Sequence, residues 1–460
     1  MHIHAGYKGY GSWQPNPCEK VPRLHPLLGK QREIENSFMI IFNTVILLLI
    51  DFYIYKALRS TRMKWASSSL FPKIWWGYSL LLVAGVFASV YLSIPLMLRA
   101  IVLVAFFLTF VCKFLFIIIL LADDIRRGGV WLKRQLFPKS VSTVVDTENH
   151  PEPLPERPEK GISRSEFLTR AGIIVASLPV IPMGWGVISG AYDYRIRRQK
   201  LYLPNLPGEF HGIKIGQLSD VHSGSFYNKR AVLGGVEMLL AEKPDVVFFT
   251  GDLVNNLANE MRDYQDIFAK VQAPLGVFST LGNHDYGDYH FGPEPSPAKA
   301  KNLQDLKDTH KVMGWDLLLN ENRRLKVDGA EIGIIGVENW GAGKRFPKFA
   351  RLDEALRNTD DLPVKLLLSH DPSHWRAQVL CKPEVDVMFA GHTHGMQFGV
   401  RMGNIKWSPV QYIYKEWAGL YREGNQQLYV NTGFGFLGYP GRVGILPEIT
   451  IFELIKGEPA

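Results

Sequence analysis

Histidine, aspartate and asparagine gather at five places in the second half of this chain, and each gathering follows a short apolar run. Ile213 to Leu218 precedes Ser219-Asp220-Val221-His222, and Val246 to Thr250 precedes Gly251-Asp252. Val277 to Leu281 runs into Gly282-Asn283-His284-Asp285. Val364 to Leu368 precedes Ser369-His370-Asp371, and Val385 to Ala390 precedes Gly391-His392-Thr393-His394. Imidazole, carboxylate and amide oxygen are the donors that borderline divalent metals accept. One such cluster says little, because a Gly-Asp pair occurs by chance and a buried histidine is usually a satisfied core residue. Five in this order, each closing a buried-strand pattern, point to one convergent site.

The elements that must position them follow from the same pattern. Runs of four to six apolar residues that stop at polar clusters read as buried strands, and α/β sheets hold ligands in the loops beyond their carboxyl ends. Stretches such as Asn228 to Glu242 and Tyr264 to Val271 read as helices covering the sheet. The expected fold class of this half is α/β.

The order Asp220-x-His222, Gly251-Asp252, Gly282-Asn283-His284-Asp285, His370 and Gly391-His392-x-His394 resembles the calcineurin-like metallophosphoesterase superfamily over about residues 200 to 456. That resemblance implies a four-layer αββα sandwich of two packed sheets flanked by helices. Ser369-His370-Asp371-Pro372, Gly395-Met396-Gln397, Asn431-Thr432-Gly433 and Pro447-Glu448-Ile449 are similar to a bacterial membrane-associated branch. That branch includes enzymes of lipid-linked or envelope pyrophosphates, such as UDP-2,3-diacylglucosamine pyrophosphatase. Met396 stands where the pattern has glycine.

The resemblance implies two divalent metal ions (Mn, Zn or Fe) as cofactors. It assigns Asp220, His222 and His394 to one ion, and Asn283, His370 and His392 to the other, with Asp252 shared. A carboxylate suits the bridge because its two oxygens reach both ions and its charge offsets their repulsion. A hydroxide held between the ions would attack phosphorus in line. His284 would stabilise the transition state or protonate the leaving oxygen, with Asp285 orienting its ring. His374, Asn255 and Asn256 are placed to touch substrate or merely to cap helices. Tyr286, His290 and the Phe291 to Pro297 stretch are candidates for a lid. Trp407, Tyr412, Tyr414, Trp417 and Tyr421 form an aromatic-rich stretch that reads as packing ahead of a membrane or lipid contact.

The first half reads differently. Phe38 to Tyr55, Trp75 to Ile94 and Ala100 to Leu121 are apolar enough to span a bilayer, which takes about 20 helical residues. Asp51 and Lys113 interrupt them, and Trp75 and Trp76 fit an interfacial belt. Ala171 to Ala191 is a fourth, proline-containing candidate, preceded by Ser163-Arg164-Ser165-Glu166-Phe167-Leu168, a variant of a twin-arginine signal. The expected organisation is a poorly ordered tail at 1–37, a three-span module at 38–137, a Pro/Glu-rich linker at 138–162, a fourth membrane segment at 163–199 and a catalytic domain at 200–460.

Lys56, Arg59, Arg62, Lys64 and Lys73 follow the first span, whereas Arg99 stands alone in the next loop. This bias puts the first and third loops in the cytoplasm and the catalytic domain on the extracytoplasmic face of a bacterial inner membrane. Arg195, Arg197, Arg198 and Lys200 argue the other way.

The formal net charge of +8 gathers beside apolar runs, so no nucleic-acid partner is expected. Three cysteines without a CxxC spacing argue against a disulfide framework or a thiolate zinc site. The expected partners are the bilayer and a phosphorylated small-molecule or lipid-linked substrate. The expected function is hydrolysis of phosphoester or pyrophosphate bonds. The alternatives are a phosphodiesterase of soluble nucleotide-type substrates and a non-catalytic metal-bound scaffold.

Overall fold

A computed structural model describes residues 29–137 and 164–458, apart from 62, 93, 95, 342–345, 347 and 404. The linker at 138–162 and residues 1–28 of the tail lie outside the described residues. The chain divides into two compact units, one of residues 28–184 and one built mainly on residues 185–460.

The first unit is helical. Helices run over Gly29–Arg59, Leu70–Tyr91 and Leu96–Leu136, followed by Arg164–Ser177 and Val180–Ile188. The first begins inside the segment read as a tail, because Gln31, Arg32, Glu33 and Glu35 are strong helix formers. The third has 41 residues. At 1.5 Å per residue it is about 60 Å long, roughly twice the hydrocarbon thickness.

Among the described residues, three helical segments are long and apolar enough to cross a membrane: Leu70–Ser89, Ile101–Leu136 and Glu166–Tyr192. They correspond to the second, third and fourth expected spans; the first falls within Gly29–Arg59. Pro179, which lacks an N–H, coincides with the break between the last two helices. The two charges inside apolar runs find each other: Lys113 pairs with Asp51, which is 4% exposed.

The second unit carries two six-stranded sheets and a hairpin. In chain order the strands are β1 Arg195–Leu203, β2 Lys214–Leu218, β3 Val246–Thr250, β4 Val277–Thr280, β5 Asp316–Leu317, β6 Glu321–Val327 and β7 Ala330–Gly336. They continue as β8 Lys365–Leu368, β9 Val387–Ala390, β10 Val400–Met402, β11 Ile405–Trp407, β12 Gly419–Glu423, β13 Gln426–Val430 and β14 Glu448–Lys456. One sheet has the order β1-β14-β2-β3-β4-β5 and the other β12-β13-β9-β8-β7-β6, with β10-β11 apart. Strands β2 to β5 are mutually parallel, as are β7, β8, β9 and β13.

Side-chain alternation explains the layering. Val246 and Phe248 of β3 join Leu366 and Phe389 in a core between the sheets, where the rings of Phe248 and Phe389 lie 5.1 Å apart. Val247 and Phe249 face the opposite way, onto Val232 and Val236 of helix Lys229–Ala241 and onto Phe268. Leu367 and Met388 meet Leu352 and Trp375 behind the second sheet. The result is an α/β sandwich of helix, sheet, sheet and helix layers. The inner strands β3, β4, β8 and β9 are buried on both faces and read as short continuous apolar runs, whereas the outer strands β1, β6 and β12 carry arginines and other polar residues.

Candidate metal centre

Each expected ligand stands just beyond the carboxyl end of a strand. β2 delivers Asp220 and His222, β3 Asp252, β4 Asn283, β8 His370, and β9 His392 and His394. Asp220, His222, Asp252, His392 and His394 all adopt left-handed backbone, with φ of 51, 48, 60, 72 and 50°. Such positions cost on the order of 1–3 kcal/mol each for residues with a Cβ and persist only where the surroundings over-determine them.

Two features supply that constraint. The Asp285 carboxylate accepts the backbone N–H groups of Gly282 at 2.8 Å, Asp252 at 2.9 Å, Leu253 at 2.8 Å and Val254 at 3.3 Å. Close approach of glycines supplies the other. A Cβ on Gly282 would stand 2.2 Å from Asp252 Oδ1, and one on Gly391 2.1 Å from Asp220 Oδ2.

The side chains converge in two groups, Asp220 with His222 and His394, and Asp252 with His370 and His392; within each, the candidate donor atoms lie within 4.8 Å of one another. In the first, His394 Nε2 is 3.2 Å from Asp220 Oδ1 and 3.0 Å from His222 Nε2. In the second, His370 Nε2 is 3.1 Å from Asp252 Oδ2 and 3.2 Å from His392 Nδ1. Asp252 Oδ2 also stands 3.5 Å from His222 Nε2, so one carboxylate faces both groups. Asn283 is buried beside them; its Nδ2 donates to Tyr289 Oη at 3.0 Å, while its Oδ1 has no partner. A buried amide oxygen without a donor, next to imidazole nitrogens facing each other at 3 Å, fits cations better than it fits an empty polar pocket.

The electrostatics agree. Burial pushes His222, His392 and His394 below the ordinary imidazole value, which keeps them neutral with a free lone pair. Burial also pulls on His370, but the Asp252 carboxylate overrides it and raises that ring to about 10. Desolvation opposes ionisation of Asp252 and Asp220, yet the neighbouring histidines hold both below the usual carboxylate range. A cation between these groups would replace the His370 proton.

Outer contacts fix the rings. His370 Nδ1 donates to Thr250 O at 2.7 Å, which aims Nε2 inward. His392 Nε2 lies 2.8 Å from Tyr414 Oη, leaving Nδ1 for the centre. Arg442, 1% exposed, donates to the carbonyl of Gly435 at 2.8 Å, and its Nη2 lies 3.1 Å from His394 Nδ1.

His284 is partly exposed at the same place. Its backbone N–H donates to Asp252 Oδ1 at 2.9 Å, and its ring stacks on Tyr289 at 4.5 Å. The expectation that Asp285 orients this ring is corrected: His284 Nδ1 donates to Asn255 O at 2.7 Å, while Asp285 ties its own loop to the one after β3. Asp285 is wholly enclosed, and burial raises its carboxyl to about 7 against the pull of its N–H donors.

Other expectations are refined in the same way. His374 is buried, lies 2.9 Å from Ser369 Oγ and 3.0 Å from Gln378 Oε1, and serves structure rather than substrate. Tyr286 is 3% exposed, so it belongs to the core and not to a lid. No motif in the sequence singles out Tyr289 or Arg442. Tyr414 stands among aromatics that read as packing, and no local signal distinguishes that tyrosine from its neighbours.

Comparison with known proteins accords with this geometry. Residues 213–396 match the model of the calcineurin-like phosphoesterase family. Residues 36–191 match a family described as the transmembrane domain of a probable calcineurin-like phosphoesterase. The uncharacterized metallophosphoesterase YkuE of Bacillus subtilis is 28% identical over 303 residues, which cover 64% of this chain and 98% of that one. A transmembrane protein with metallophosphoesterase domain from Danio rerio is 23% identical over 300 residues, 64% of each chain. Phosphodiesterase YaeI of Escherichia coli is 26% identical over 246 residues, 53% of this chain and 82% of that one. The chain thus joins a metal-dependent hydrolase domain of the calcineurin-like metallophosphoesterase superfamily, matched over residues 213–396, to a transmembrane module matched over residues 36–191.

Proposed function

We propose that this protein hydrolyses a phosphoester or pyrophosphate bond of a phosphorylated lipid or envelope precursor at a centre of two divalent ions. The observation that carries the reading is one shared carboxylate, Asp252, 3.1 Å from His370 and 3.5 Å from His222, with His284 hydrogen-bonded to the same side chain. Asp220, His222 and His394 would hold one ion and Asn283, His370 and His392 the other, with Asp252 between them. Mn, Zn and Fe all accept this donor set. The ions would supply Lewis acidity toward phosphoryl oxygens and an activated water.

The chain's own residues do the rest. His284 is fixed by Asn255 O through Nδ1–H; as the imidazolium it donates the Nε2 proton to a leaving oxygen and is left as the neutral ring, still donating from Nδ1. Asp285 holds the loops bearing Asp252 and Asn283 in register. Tyr289 and Tyr414 orient Asn283 and His392.

A tethered catalytic domain meets lipid-borne substrate in two dimensions, which favours the lipid class, including pyrophosphates of the UDP-2,3-diacylglucosamine kind. The lysine and arginine bias of the loops favours the extracytoplasmic face. A second reading is a phosphodiesterase of soluble nucleotide-type substrates; its reaction type, though not that substrate class, is the one the Escherichia coli relative is named for.

The test uses the full chain in detergent micelles, stripped of metal and resupplied with Mn or Zn, on a generic chromogenic phosphodiester. Metal-dependent turnover, lost by at least about a thousandfold in Asp252→Asn, is expected. Equal turnover with and without metal would refute the proposal. A detergent-dispersed lipid phosphate outcompeting soluble nucleotides selects the first reading, and the reverse selects the second.

A further inference from the structure

Most of the second unit obeys the rule for a water-soluble fold. Among its described residues, large apolar side chains are exposed at scattered positions such as Tyr227, Val312 and Phe349. Between residues 396 and 413 the rule fails: eight large apolar side chains are exposed in that one stretch, among them Met402 at 71%, Ile405 at 63%, Tyr412 at 78% and Ile413 at 68%.

The hairpin β10-β11 shows that this is organised. Its antiparallel register pairs Val400 with Trp407 and Met402 with Ile405, and places Arg401 opposite Lys406. Alternation therefore sorts the apolar pairs to one face and the basic pair to the other. The basic face is the one held by the protein. Arg401 pairs with the buried Glu448, and Lys406 donates to Ala418 O at 2.8 Å and Tyr421 Oη at 3.0 Å. The apolar face is left outward, the reverse of what a strand facing water presents.

The ridge is stitched to the end of a membrane-crossing candidate. The span Glu166–Tyr192 closes with Trp185–Ile188 and Gly190, and Arg442 N donates to Gly186 O at 3.1 Å. Only glycine fits this junction, since a Cβ on Gly190 would stand 2.0 Å from Arg442 O. One residue on, Val443 N donates to Gln397 O at 2.7 Å and Val443 O accepts from Gly399 N at 2.9 Å. Phe398 bridges Val443, and the hairpin begins at Val400. The apolar ridge thus continues directly from exposed Trp185 and Ile188, at 66% and 80%. Exposed aliphatic residues accompanied by a tyrosine and a tryptophan are what a lipid–water interface accepts.

We infer that the ridge formed by Phe398, Met402, Ile405, Trp407, Tyr412 and Ile413 is a membrane-docking surface that inserts into the lipid leaflet adjoining the last span. Its root is the His392–His394 loop, through Met396 on one side and the Tyr414 contact to His392 on the other, so docking presents the metal centre to that leaflet. The inference concerns placement and stands whether or not the centre hydrolyses lipid.

Depth measurement tests it. Full-length chain, with Cys18, Cys112 and Cys381 replaced by serine, carries a single Met402→Cys, Ile405→Cys or Ile413→Cys bearing an environment-sensitive fluorophore. Val312→Cys, an exposed apolar position outside the ridge, is the reference. In nanodiscs of phosphatidylethanolamine and phosphatidylglycerol, the ridge labels should be quenched at least about threefold more by lipids spin-labelled near the headgroup than the Val312 label, and less by aqueous iodide. Quenching by iodide equal to that at Val312 would overturn the inference. Protection from both quenchers would put a second copy of the chain over the ridge and would overturn it equally. The side chains of Met402, Ile405, Ile413 and Val312 are exposed, so the fold does not depend on them.

Discussion

The helical unit and the hydrolase unit both bury charge, and they do so to opposite ends. In the helices, Asp51 and Lys113 neutralise each other among outward-facing Leu81, Ile74 and Ile125, and Lys113 also reaches Ser79 Oγ at 3.4 Å. The ion pair closes on itself, as hydrocarbon surroundings demand. In the hydrolase, two carboxylates, four histidines and an asparagine are gathered with donors and acceptors left over, Asn283 Oδ1 and His222 Nδ1 among them. Polar burial that closes on itself is structural; polar burial that stays open, on strained backbone, is where a ligand belongs. The ridge at 396–413 breaks the division by carrying the surface character of the first unit onto the second.

The comparison can be broken at four points. His284→Ala should lower kcat/KM on a phosphodiester by about a thousandfold, or roughly 4 kcal/mol, with a much smaller change in Tm, because the residue is partly exposed and its ring makes one hydrogen bond, to Asn255 O, and a stack on Tyr289. Lys113→Met leaves Asp51 uncompensated and should cost roughly 4 kcal/mol of stability in detergent unfolding, while Asp51→Leu with Lys113→Met should recover most of it. Failure of the double variant to recover would show that the pair does more than balance itself.

The third concerns acid. Burial holds His310 at about 3 and His374 at about 4, well below an unfolded histidine. A depressed folded value means that the unfolded chain binds the proton first. Their stability is therefore complete above pH 6.5 and is lost as pH falls from there toward 3 to 4. His310→Phe should recover roughly 3 kcal/mol of that loss at pH 4, read as a flatter Tm-against-pH curve. The smallest effect is expected at the ridge: Met402→Asp with Ile405→Asp should raise KM for a vesicle-borne phosphate a few-fold and leave a soluble diester untouched.

Much of the hydrolase was legible in the sequence because its signals are local. Strand β3 runs over Val246–Thr250 as its apolar run foretold, and all five clusters follow strands, since a doubly covered sheet forces continuous hydrophobic runs. Helix Lys229–Ala241 was legible from its period and from Asn228, whose side chain caps it. The orientation of His284 was not, because its partner is a main-chain carbonyl, Asn255 O, which sequence never shows. Tyr289, Tyr414 and Arg442 escaped for the same reason: their roles depend on loops meeting in space. Of the aromatic stretch expected to pack, Trp417 and Tyr414 do so while Trp407 and Tyr412 are exposed, because an apolar stretch looks alike whether its face turns inward or outward.

The most direct test of the two-ion centre is calorimetric titration of metal-stripped full chain with Mn or Zn, beside Asp252→Asn. Two equivalents bound by the native chain, with the shared-carboxylate variant losing affinity for both and turnover rising only as the second fills, is the predicted result. A single ion at full activity, or two ions bound unchanged without Asp252, would contradict the account.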